Sequence, residues 1–180
     1  DDVARGARGE VTTVTLASTG RTALERARRV IEDAIAAGQR VYGVTTGFGR
    51  LAEVMIAPEE RILLQRNVIM SHASGFGEPI SREAVRALML LRANTLTHGH
   101  SGCTVRCVEL LLDFLNRGIH PVVPEFGSVG ASGDLVPLAH VALGLMGEGE
   151  GEAGGRVVPA RDALAAAGLQ PLAVREEAGL

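Results

Sequence analysis

Lysine is absent from this 180-residue chain, and all 18 basic residues are arginine. That excludes a lysine-dependent phosphate loop and a lysine Schiff base to a pyridoxal cofactor within this segment. Tryptophan is absent too, and one tyrosine and four phenylalanines leave little for stacking nucleic-acid bases. A net charge of −3 lacks the basic footprint of a nucleic-acid binder. Two cysteines, Cys103 and Cys107, make no disulfide framework, so a reducing, cytoplasmic setting is expected. No apolar run reaches the roughly 18 residues of a membrane span, and no secretory leader is expected.

What is present suits a packed core. Hydrophobic residues make up 46% and charged residues 22%, the composition of a globular chain rather than a disordered one. The length fits one domain, or one and a half. The periodicity predicts a mainly α fold with a few short strands. Glu10–Leu16 is β-branched and reads as a strand. A helix is expected from about Thr22 to Ala37, with Leu24, Ala27, Ile31 and Ile35 on one face and Gly38 as its stop. A second helix starts near Pro58 and runs into Ser71 and His72, where Gly75, Phe76, Gly77 and Pro79 break it. Ser81 is a natural N-cap for a third, with Ile80 and Val85 placed as a hydrophobic staple. A fourth spans about Gly102 to Arg117, ended by Gly118 and Pro121. Residues 121–133 read as a loop, and Asp134 as the N-cap of a fifth helix reaching Met146. Glu148–Gly155 reads as a turn, Val157-Val158 as a hairpin arm, and Arg161–Ala167 as a short helix.

Several motifs carry possible chemistry. Gly47 to Ala52 (GFGRLA) matches a loose dinucleotide fingerprint, but neither a following helix nor a second parallel strand accompanies it. His98, His100, Cys103 and Cys107 are four zinc-competent side chains. Their spacing is too compact for a structural zinc site, so helix-face cysteines beside turn histidines are the simpler reading and no metal is assigned. His72, at the end of an apolar helix, reads on spacing alone as a buried, hydrogen-bonded histidine. Tyr42 sits at the edge of a glycine loop, VYGVTTGFGR. A phenol serves as a base near neutral pH only where its surroundings favour the phenolate.

The strongest feature is GSVGASGDLVPLAH, Gly127 to His140. One reading is an anion-binding glycine loop at a helix N-terminus. A sharper one uses Ala131-Ser132-Gly133. Glycine carries no Cβ, so the Gly133 nitrogen can approach the Ala131 carbonyl carbon and close a five-membered ring. Loss of water from that ring, and of the Ser132 hydroxyl as a second water, leaves an exocyclic methylene electrophile. Only a folded loop that compresses the backbone would drive this closure.

At this string the sequence resembles the aromatic amino acid ammonia-lyases, whose methylidene-imidazolone group is made from Ala-Ser-Gly. The stretches VYGVTTGFGRLA, LLQRNVIMSHASGFGE and VVPARDALAAAGLQPL resemble the family too, in order, over about Arg40 to Leu180. The resemblance implies the following roles. Ala131, Ser132 and Gly133 form a self-derived 4-methylideneimidazole-5-one, with no external cofactor, and Asp134 assists the cyclisation. Tyr42 is the catalytic base, and His72 contacts the substrate side chain. The Ser-His pair looks more like the histidine enzymes than the plant phenylalanine ones, which implies L-histidine going to trans-urocanate and ammonia. It implies a helix-rich domain, residues 1–180, at the N-terminal end of a longer homotetrameric enzyme whose long helical bundle lies outside this sequence. The isolated segment is then expected to be inactive. Rival readings are a phenylalanine or tyrosine ammonia-lyase, a 2,3-aminomutase, and a non-catalytic helical module. The intact mass tests the cyclisation directly: a deficit of two waters mapped to Ala131–Gly133 shows that the segment builds its own electrophile, and an unmodified mass shows three ordinary residues.

Overall fold

The computed structural model describes residues 2–130 and 135–173. Among them are seven α-helices and five short strands, so the chain is mainly α. The helices are α1 (Asp2–Ala7), α2 (Ser18–Ala36), α3 (Pro58–His72), α4 (Arg82–Leu96), α5 (Val105–Arg117), α6 (Leu135–Leu145) and α7 (Ala160–Ala166). None is long and apolar enough to cross a membrane.

The core forms around α5. Its Cys107, Val108, Leu110, Leu111, Leu112, Phe114 and Leu115 are all buried, a broad apolar face set against a polar side of Arg106, Glu109, Asp113, Asn116 and Arg117. Thr104 caps it, its side chain accepting from the Cys107 N–H at 3.3 Å. Gly118 ends it in the left-handed conformation at φ +67°, which glycine adopts without the Cβ penalty. Leu24 of α2, Val85, Met89 and Leu96 of α4, Val141 and Leu145 of α6, and Leu164 of α7 complete the cluster. The Ser81 cap of α4 is as expected, its hydroxyl accepting from the Ala84 N–H at 3.2 Å. Cys103 and Cys107 are fully buried in this core, neither in a disulfide. The Cys103 thiol is pulled below its ordinary pKa, first by a hydrogen bond from Cys107. His98 and His100 lie outside at the exposed turn. Among the described residues no group of three or more His, Cys, Asp or Glu side chains comes together to hold a metal ion.

The strands differ from the sequence reading. Glu10–Leu16 forms no strand. Its backbone partner is a side chain: the Val14 N–H donates to Asn116 Oδ1 at 2.8 Å, and Asn116 Nδ2 donates back to the Val14 carbonyl at 2.9 Å. β-branching favours the extended backbone, but a sheet also needs a partner strand. Glu150–Ala153, expected as turn, is strand β4. It pairs antiparallel with β5 (Arg156–Pro159) and with β2 (His120–Pro121). Gly154 and Gly155, both at positive φ, form the two-residue connection. Phe76–Pro79 (β1) pairs with Pro124–Phe126 (β3), although both segments read as breaks. That pairing is non-local, so neither segment announces it. Helix α1, which the sequence reading passed over, packs on α4 through Gly6, where an added Cβ would meet Leu90 at 2.8 Å.

β2 carries one member of a buried polar pair, His120, and α4 the other, Arg86. Arg86 donates through Nε to the Gly6 carbonyl at 3.1 Å and through Nη1 to the Leu115 carbonyl at 3.1 Å and to His120 Nε2 at 3.3 Å. Burial first, then the Arg86 and Arg82 charges, hold the His120 pKa down to about 4, with Glu152 opposing. The unfolded chain takes up this proton near pH 6.5. Between the two values the unfolded state therefore binds more protons, and stability falls as pH drops from about 6.5 toward 4. Denaturant melts across this window should show a loss approaching about 1.4 kcal/mol per pH unit from this site, and His120→Gln should flatten it.

Candidate active site

Two glycine-rich loops and the helix pair α3–α6 build the candidate site. The first loop, residues 41–56, folds back on itself. Thr45 Oγ1 accepts from the Val41 N–H at 2.8 Å and donates to the Gln39 carbonyl at 2.6 Å. The Gly47 N–H bonds the Val54 carbonyl, the Ile56 N–H bonds the Thr45 carbonyl, and Thr46 bridges Met55. Gly43 sits at φ +69° with the Phe48 ring so close that a Cβ would lie 2.6 Å from it. Only glycine satisfies both demands.

Tyr42 stands beside that glycine, 62% exposed. Its ring meets Phe48 edge-on at a centroid distance of 5.6 Å. Its hydroxyl accepts from the Gly49 N–H at 3.2 Å, which orients the oxygen. Residues 42–45 are turn rather than strand, and Gly49–Leu51 is a single 3₁₀ turn. The dinucleotide reading of GFGRLA therefore fails on geometry, because strand and helix are both missing.

Helix α3 carries the loop's anchor and the second site residue. Gln65 Nε2 donates to the Gly43 carbonyl at 2.8 Å. His72 lies seven residues on, which is two turns along the same side and about 10 Å of rise. Tyr42's loop and His72 are therefore served by one face of one helix. His72 is half-buried, and its Nδ1 lies 2.7 Å from the Val68 carbonyl and 3.2 Å from Ser71 Oγ. A carbonyl only accepts, so Nδ1 carries the proton and Nε2 of the neutral ring keeps its lone pair. His72 is thus hydrogen-bonded as the spacing suggested, with one ring nitrogen still available.

Residues 131–134 lie outside the described residues, so Ala131, Ser132, Gly133 and the expected Asp134 cap have no structural account here. The segments on either side do. Gly127, at φ +132°, sits where a Cβ would meet Val136 at 2.9 Å and the Gly75 Cα at 3.2 Å. Helix α6 begins at Leu135. His140, one turn beyond Val136, accepts from the Gly75 N–H through Nε2 at 3.2 Å. Burial holds the His140 pKa below its ordinary value, which favours the neutral, accepting ring. Arg66 and Glu148 add a bidentate pair at 3.0–3.1 Å between α3 and the far end of α6. Gln65 and His140 were missed in sequence reasoning. Both sit in strings that drew attention, but their roles depend on partners 22 and 65 residues away.

Among the described residues the site is thus a helix-rich frame in which a glycine-rich tyrosine loop is anchored on the helix that carries His72. The comparisons give the family. The aromatic amino acid lyase model matches residues 1–180, and this chain belongs to that family. It is 52% identical over 158 residues to the histidine ammonia-lyase of Geobacillus thermodenitrificans, covering 88% of this chain and 31% of that protein. Over 180 residues it is 50% identical to the histidine ammonia-lyase of Gloeobacter violaceus, covering all of this chain and 35% of the relative. The solved phenylalanine aminomutase of Pantoea agglomerans superposes with a TM-score of 0.89 at 31% identity, over 96% of this chain and 33% of that one. The chain thus spans about a third of the length of these proteins.

The Gln65 anchor is directly testable, because Tyr42 is the sole tyrosine and there is no tryptophan. Gln65→Ala should lower tyrosine fluorescence anisotropy as the 41–56 loop loosens, with a stability loss near 1 kcal/mol. Unchanged anisotropy would show that the loop's own bonds hold Tyr42.

Proposed function

We propose that this chain is the N-terminal, prosthetic-group-bearing part of a longer ammonia-lyase acting on an aromatic amino acid, with L-histidine the first substrate to test and trans-urocanate and ammonia the products. What supports the reading is that the Tyr42 loop is tied through Gly43 to Gln65 on the helix that carries His72, in a chain of the aromatic amino acid lyase family. The identity to histidine ammonia-lyases favours histidine.

Ala131, Ser132 and Gly133 would hold the group as part of their own backbone. The residues fit it in kind: they are the Ala-Ser-Gly set the ring closure needs, directly before the N-terminus of α6. When formed, a methylidene-imidazolone supplies an electrophile that makes the substrate amine a better leaving group. Asp134 assists the closure. Tyr42 takes the proton from the substrate β-carbon, its oxygen oriented by the Gly49 N–H. His72 offers Nε2 as an acceptor, which suits the N–H of an imidazole ring better than a bare phenyl edge. The apolar residues exposed around the site, among them Leu51, Ile62, Leu63, Phe76 and Phe126, suit burial in a homotetramer with the remainder of the longer chain. A cytoplasmic setting accords with the reduced, buried cysteines.

The likeness to an aminomutase supports a second reading, in which ammonia re-adds at the β-carbon before product leaves. Product analysis separates the two: urocanate or a cinnamate-type acid marks the lyase, and a β-amino acid marks the mutase. In the full-length enzyme, Ser132→Ala should abolish turnover while leaving the melting temperature within a few degrees. Tyr42→Phe should keep the Phe48 contact and lower kcat by about 10²–10⁴. Full rate in either variant removes that residue from the mechanism.

A further inference from the structure

The contacts around Gly75 join three parts of the molecule that are far apart in sequence. An added Cβ on Gly75 would lie 3.0 Å from His140 Nε2 and 3.1 Å from Pro124. Gly127, just after β3, packs against the Gly75 Cα. Val136 and His140, one turn apart on α6, grip Gly127 and Gly75 respectively. The segment leaving His72, the strand leading into the Ala131–Gly133 loop and the helix leaving that loop therefore meet at one glycine.

We propose that His140 is a positioning residue: by accepting the Gly75 N–H it latches the end of α3 to α6, and so fixes the exit of the helix turn that carries His72. The part of this concerning His72 and the substrate rests on the functional reading above; the latch itself does not. Gly75 lies three residues after His72, and the α3 helical bonds end with the Ala73 N–H on the Ile69 carbonyl. The chain turns away from the helix there. With the Gly75 N–H released, the last turn of α3 loses its fixed exit, and the His72 ring moves with it. Such a residue touches no substrate. It acts through the placement of another, so it should change substrate affinity more than the chemistry of the electrophile.

The test uses the full-length protein and three variants. His140→Phe keeps a flat ring and removes the acceptor. His140→Gln keeps an oxygen that can reach the position of Nε2. Gly75→Ala leaves the histidine and forces a methyl group into the latch, and it serves as the independent variant should His140→Phe fail to fold. Amide exchange at Gly75 reads the latch. It should accelerate by about tenfold or more in His140→Phe and stay within about threefold of the parent in His140→Gln. KM for the amino acid should rise about tenfold in His140→Phe and Gly75→Ala with a smaller change in kcat, and be largely restored in His140→Gln. The two-water deficit at Ala131–Gly133 should persist in all three. Parental Gly75 exchange in His140→Phe overturns the latch, whatever the activity. Faster exchange with an unchanged KM overturns its positioning role. Absence of the two-water deficit, or of ammonia release, in the parent protein overturns the functional reading instead, and Gly75 exchange still decides the latch.

Discussion

Burial of α5 is the interaction on which the other elements depend. Leu110, Leu111 and Phe114 are fully enclosed, and each such side chain contributes about 2–3 kcal/mol relative to an exposed one. A helix with so broad an apolar face must cover it, so α2, α4 and α6 pack against it while its polar side keeps Glu109, Asn116 and Arg117 toward solvent. The polar Arg86–His120 pair joins α4 to β2, the Arg86 guanidinium held by backbone carbonyls because a lone buried charge would cost far more. The site elements come later in this hierarchy. Helix α6 rests on the core through Val141 and Leu145, while α3 has no buried residue of its own.

That asymmetry shapes the site. Helix α3 is held by discrete polar ties rather than by deep packing: Gln65 to the tyrosine loop, Arg66 to Glu148, and the Gly75–His140 bond at its end. Hydrogen bonds are directional where hydrophobic contact is not. A helix placed by three such ties has its rotation and its end defined with little apolar burial. The apolar side chains it leaves outward, Ile62, Leu63 and Met70, are a surface of the kind that larger assemblies cover.

The glycines divide by purpose. Gly118 closes a helix, and Gly154-Gly155 turns a hairpin. Gly43, Gly75 and Gly127 instead allow close approach, to a phenyl ring, a histidine and a neighbouring backbone. The first kind shapes the fold. The second kind brings the Tyr42 loop and the flanks of the 131–134 loop to the same helix pair.

Local rules made much of this legible in one dimension. The Ser81 cap, the Pro58 start and the Gly118 stop act within one turn of helix, so the sequence determined those boundaries by itself. The Ala-Ser-Gly string and its order relative to the Tyr42 and His72 segments likewise marked the family in one dimension. Other features were decided only in three dimensions. Glu10–Leu16 has strand composition but meets a side-chain amide instead of a strand. Glu150–Ala153 has turn composition but finds partners on both edges, and β1 meets β3 across more than forty residues. Cys103 and Cys107 turned inward, away from the two histidines, because burial of the α5 face outweighs any local clustering. The anchoring by Gln65 and His140 was equally hidden, since a hydrogen bond between distant residues leaves no periodic trace and exists only once the core has brought its two ends together.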